Sequence, residues 1–194
     1  DYEIIGTTID DAVGEAFDKI AKHYDLGYPG GPAIEKLAKE GDKNAFNFPI
    51  SNLYKSKRKY DVSYSGIKTA VINYLEKYKK KDNWTINDIA ASFQKRAFDI
   101  LFKKVELASK DYNIERIVVA GGVSANQYLR ELFSKLKNKK VYFPELKYAT
   151  DNGAMIAAFA YHKFKKDGAS SYDIGVYPRV QGYKISLEEG YRCR

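Results

Sequence analysis

The chain has 194 residues, of which 44% are hydrophobic and 30% charged, with a net charge of +8. That apolar content is enough to bury a core in one large domain or two small ones, and no window approaches the roughly 18 continuous apolar residues of a transmembrane helix. Cys193 is the only cysteine, which excludes an internal disulfide framework and a zinc site built from cysteines. The first eleven residues are acidic and carry no basic run of the kind that opens a signal peptide, so a cytoplasmic protein without membrane contact is expected.

Tyr2 to Ile9 reads as a short strand. Asp10 is expected to cap a helix of about 14 residues, whose Val13, Phe17, Ile20 and Tyr24 recur at helical spacing. Asp11, Glu15, Asp18 and Lys22 would share its opposite face, a stripe that a solvated Glu15–Lys19 pair alone could explain. Gly27 to Pro32 is a tight turn, Pro32 opens a second helix through Ile34, Leu37 and Ala38, and Gly41 stands where a helix stop belongs. Exposed backbone at Gly30-Gly31, with Glu35 one turn on, is a reasonable way to hold ribose hydroxyls or an amino acid.

Residues 51–82 hold nine basic side chains against three acidic ones, and so six of the eight net positive charges. A field of that size suits a polyanion such as RNA, although a lysine-rich solvated loop has the same composition. Tyr60 to Tyr64 can form a short strand, and Ser65 caps a helix through Ile67, Val71, Leu75 and Tyr78. Tyr64 to Thr69 sets a hydroxyl, a glycine and the cation Lys68 at that helix start, without the glycine spacing of a phosphate loop. Thr85 and Asp88 have the spacing of a capping box for a long helix with Ile89, Phe93, Ala97, Leu101, Val105 and Ala108 on its core face.

The last third alternates strand and helix. Arg116 to Ala120 is an apolar run followed by Gly121-Gly122 and a helix bearing Leu129, Phe133 and Leu136. Val141 to Pro144 is a second run, and another helix begins at Thr150-Asp151. This order predicts parallel strands joined by crossovers, with a site at their carboxyl ends, where the loops after Ala120 and Tyr148 belong. Ser124 is placed to cap the helix after the glycine pair, and Asn126 in its first turn offers a donor and an acceptor to a base or ribose. Asp151 sits at a helix start, where the dipole favours a carboxylate with or without a function. His23 and His162 form no metal-ligand pair, and no Ser-His-Asp arrangement is inferable, so hydrolase chemistry has no support.

Five segments occur together in one order: Thr8 to Lys19, Tyr28 to Pro32, Ser63 to Thr69, Ala120 to Asn126 and Ala149 to Met155. In this the chain resembles the TsaD/Kae family of tRNA threonylcarbamoyl transferases, and its YPGGP and YSGIKT forms resemble bacterial or organellar members. The resemblance implies an α/β fold of the actin-like, sugar-kinase-like (ASKHA) type. Residues 1–194 would be a partial C-terminal lobe, with a mostly helical insertion over roughly 33–110 and the N-terminal lobe absent. It further implies transfer of a threonylcarbamoyl group from threonylcarbamoyl-adenylate to the exocyclic amine of the adenosine beside the anticodon of tRNA. By position in the motifs, Asp18, Gly31 and Asn126 would hold the adenylate, with Glu35 as an addition. Asp151 would ligate a single divalent metal ion, usually iron and in some members zinc, and TsaB-like and TsaE-like proteins would be partners. The family's HxxxH pair and Ser-Gly-Gly-His loop are missing from these 194 residues, which leads us to expect no activity from the chain alone. A non-catalytic scaffold of the same pathway and the lobe of an actin-like small-molecule kinase are the alternatives.

Overall fold

The computed structural model describes residues 3–49, 59–78, 84–173 and 175. The helices are α1 (Val13–His23), α2 (Gly30–Ala38), α3 (Ser65–Tyr78), α4 (Ile86–Asp111), α5 (Gln127–Phe133) and α6 (Gly153–Asp167). Strands β1 (Arg116–Val118) and β2 (Lys140–Tyr142) pair in parallel with Ile117 opposite Val141, as the strand–helix order predicts. The molecule is thus α/β and mostly helical, with a small parallel sheet among the described residues. None of its described helices is long and apolar enough to cross a membrane.

The core lies where α1, α2, α3 and α4 meet. Ala16, Phe17 and Ile20 of α1 pack with Ile34, Ile67, Val71, Ile89, Phe93 and Phe98, all buried. Phe17 is its centre, with ring centroids 4.8 Å from Phe93 and 5.3 Å from Phe98. Burying one such ring contributes about 1.5–3 kcal/mol. The capping box at α4 forms as its spacing predicts: Thr85 accepts from the Asp88 N–H, and Asp88 accepts from the Thr85 N–H at 2.9 Å. Of the expected core face of α4, Ile89, Phe93 and Ala97 are buried, while Leu101, Val105 and Ala108 are only half-buried.

Several local expectations are corrected. The expected strands at 2–9 and 60–64 form no named strand among the described residues; Thr8 makes a parallel bridge to Val62, and Glu3 is a bridge residue as well. Asp10 does not cap α1, whose first turn has no side-chain cap. Its carboxylate instead accepts from the N–H groups of Tyr64 and Ser65 at 2.8 and 3.3 Å, and from the Ser63 and Ser65 hydroxyls. It therefore caps α3 from another segment, and Ser65 is held by it rather than being the free cap. Asp11 lies before α1, not on its face, and bridges Lys19 at 2.5 Å and Lys68 at 2.9 Å. Gly41 follows the end of α2 as expected and is also a point of close contact, since a Cβ there would run into the Asn87 backbone.

The sheet is less covered than its apolar runs lead one to expect. Ile117 packs against the core, but Val118 is 75% exposed. No residue of α6 is buried, and Met155, Ile156, Phe159, Tyr161 and Phe164 all stand in solvent.

Candidate adenylate-binding cavity

A cavity of about 370 Å³ opens between α1, the start of α2, the turn after β1 and the residue before Asp151. Its walls include Asp18, Gly31 and Asn126, which the motifs single out separately along more than a hundred residues of chain, and the added Glu35. Local packing sets each of them.

Asp18 is held by the start of α2. Its Oδ1 accepts from the Gly30 N–H at 2.8 Å. This contact requires a glycine at position 30, where a Cβ would lie 2.7 Å from the Asp18 Cα and 2.7 Å from the Ala21 Cβ. Gly31 faces the opposite circumstance, since a Cβ there would meet nothing within 4 Å. Glu35, one turn further along α2, accepts from the Gln127 N–H at 2.7 Å. It thereby ties α2 to the N-terminus of α5, where a carboxylate is electrostatically favoured. A polar groove of about 410 Å³ on its far side also has Glu35 in its wall, with Lys39, Lys43, Gln94, Tyr128 and Glu131. Burial, with Asp99 and Glu131 nearby, pushes the Tyr128 phenol up to about 12, so it stays neutral and able to donate.

Asn126 is the N-cap of α5, accepting from the Leu129 N–H at 3.0 Å. Ser124, expected in that role, lies in the preceding 3-10 turn (Gly122–Ala125) with its hydroxyl buried and unpartnered. Gly121 has φ +89°, the left-handed region that lets the chain leave β1 and turn at once into this loop.

The apolar part of the wall was not legible as a site. Phe17 and Phe98 contribute rings from the core, and Pro29, Pro32 and Val123 close the sides. Phe17 carries only a core-spacing signal, and Phe98 lies off the expected core face of α4.

Asp151 stands apart from the four. It is exposed and does not line the cavity, although its neighbour Thr150 does. It is not the cap of α6 either, since Asn152 accepts from the Met155 N–H at 3.0 Å. No group of three or more His, Cys, Asp or Glu side chains among the described residues could hold a metal ion. One carboxylate offers at most two oxygens, so these residues do not by themselves fit a metal site. His23 and His162 are both exposed and edge-on to Tyr24 and Tyr161.

The basic stretch is only partly described. Of its nine cations, Lys59 pairs with Asp111 at 2.6 Å and Lys68 with Asp11. Lys68 is therefore neutralised by Asp11 rather than set out for a phosphate. The other seven side chains, and Cys193, lie outside the described residues.

Residues 1–158 match the family model TsaD, tRNA N6-adenosine threonylcarbamoyltransferase. The chain belongs to the TsaD family. It is 53% identical over 185 residues to a tRNA N6-adenosine threonylcarbamoyltransferase of Borreliella burgdorferi strain ZS7, covering 95% of this chain and 53% of that protein. The protein of the same name from Borrelia hermsii is 53% identical over 189 residues, covering 96% of this chain and 55% of its own length. That of Treponema denticola is 50% identical over 184 residues, covering 94% and 54%. The chain spans about half the length of these curated relatives. This TsaD-family chain carries all four cavity residues within the matched region.

Proposed function

We propose that this chain is the C-terminal part of an actin-like, sugar-kinase-like transferase, and that its cavity holds the adenylate of threonylcarbamoyl-adenylate. The carrying observation is convergence: Asp18, Gly31 and Asn126, taken from three separate motifs, line one cavity together with Glu35. Carboxylates at Asp18 and Glu35 accept from ribose hydroxyls, the Asn126 amide serves a polar edge, and Phe17 and Phe98 give an apolar wall. Without a Cβ at Gly31, a flat group can approach α2 closely.

The reaction joins the exocyclic amine of a tRNA adenosine to the carbamoyl carbon and expels AMP. The adenylate is a good leaving group, so the weakly basic amine needs positioning more than it needs a strong protein base. Fixing the adenylate against rigid helices is what these residues do, and no side chain of the cavity is assigned as a general base. Asp151, beside Thr150 at the cavity edge, would supply one carboxylate toward a divalent metal, iron or zinc. The remaining metal ligands come from the part of the relatives that this chain does not span. The basic 51–82 stretch meets the tRNA backbone, and TsaB-like and TsaE-like proteins assist.

The test uses a full-length protein containing this chain, supplied with threonylcarbamoyl-adenylate and tRNA. Transfer should be detected by mass spectrometry of digested tRNA, should fall at least tenfold in Asp18→Ala and Asn126→Ala, and should be absent from the 194-residue chain alone. Robust modification by that chain alone, or full activity of both variants, would overturn the reading.

A further inference from the structure

A buried amide pair underlies the cavity. Gln94 of α4 is 5% exposed and Asn126 is 7% exposed, and the Asn126 Nδ2 donates to the Gln94 Oε1 at 2.8 Å. Neither the motifs nor the helical periodicity singles out Gln94. The orientation of both amides is determined. The Leu129 N–H at the start of α5 demands an oxygen, so it takes the Asn126 Oδ1. The Nδ2 must then face Gln94, and Gln94 must present its oxygen.

A primary amide has two N–H donors and two acceptor lone pairs. The Leu129 and Gln94 bonds use one of each, which leaves one donor and one acceptor on Asn126, the residue that lines the cavity. We infer that Gln94 is a positioning residue, which holds the Asn126 amide in the one orientation where its spare donor and acceptor can serve the bound nucleotide. The inference rests on the adenylate reading of the cavity. Without the Gln94 oxygen, the buried Nδ2 lacks an acceptor, and the amide rotates to find one or draws in water.

The experiment is calorimetric binding of AMP to the full-length protein in a double-mutant cycle. Gln94→Met, which keeps the volume and removes the acceptor, should weaken AMP binding on the order of tenfold. In an Asn126→Ala background the same substitution should change nothing further. Gln94→Asn, whose amide is one methylene short of Asn126, should behave as Gln94→Met does and replaces it if that variant does not fold. Gln94→Glu keeps an acceptor at the same place. It should bind adenosine like the unaltered protein, adenosine being used because it has no phosphate for the new carboxylate to repel. Wild-type affinity in Gln94→Met, a loss that simply adds to that of Asn126→Ala, or a tenfold loss in Gln94→Glu overturns the role of Gln94. If Asn126→Ala itself leaves AMP affinity unchanged, the adenylate reading falls and takes this inference with it.

Discussion

The Asp18 carboxylate and the Gly30 N–H, twelve residues apart, are joined at 2.8 Å across the contact between α1 and α2. One hydrogen bond thus both anchors the start of a helix and fixes a carboxylate in the cavity wall. Asp18→Asn keeps an oxygen for Gly30 but removes the charge, whereas Asp18→Ala removes both. The expected outcome is near-native stability for the first and a loss of about 1–2 kcal/mol for the second by urea denaturation. Both should weaken AMP binding.

Neighbouring glycines should respond in opposite ways. Gly30→Ala drives a methyl group into α1, where atoms already lie at 2.7 Å, and should cost about 1–3 kcal/mol. Gly31→Leu places its side chain in open space at a helical position that favours leucine, so stability should hold or rise slightly. That side chain occupies the cavity, and AMP binding should be lost. A thermal melt and a binding isotherm on each variant check the pair.

Acid should loosen the attachment of α3. Burial opposes the charge on Asp10, but bonds from Ser63, Tyr64 and Ser65 outweigh it and hold its carboxyl below the ordinary value of 3.8. The ammonium of Lys19, then that of Lys68, lowers Asp11 in the same way. A carboxyl with a lowered folded pKa stabilises the fold fully above its unfolded value and loses that contribution as pH falls through the folded one. Stability should therefore decline below about pH 4. The decline should be shallower in Asp10→Ala, which also costs about 0.5–2 kcal/mol at neutral pH through the lost cap. Urea midpoints between pH 2.5 and 7 measure both.

The bare apolar side chains of α6 should make the isolated chain bind hydrophobic dyes and associate. Ile156, Phe159 and Phe164 are each at least 60% exposed, more apolar surface than one helix of a soluble monomer ordinarily carries. Replacing Phe159 and Phe164 with lysine should reduce dye fluorescence and association in sedimentation runs while leaving the α1–α4 core cooperative on heating.

By itself the sequence determined the helices with strong periodicity, the α4 capping box, the parallel pairing of β1 with β2, and the motifs that carry Asp18, Gly31 and Asn126. These are local signals, written in spacing and in the needs of helix ends, or in short runs that match a family's pattern. What only the tertiary structure decided is which partner each polar group takes. Asp10 precedes α1 in the chain yet caps α3, because Tyr64 and Ser65 present free N–H groups to it once the segments pack. Ser124 is the cap the sequence suggests, with Asn126 inside the first turn, and the 3-10 turn hands the role to Asn126. Gln94 carries no local signal at all: its partner lies 32 residues away, and a buried amide finds its acceptor only when two helices meet.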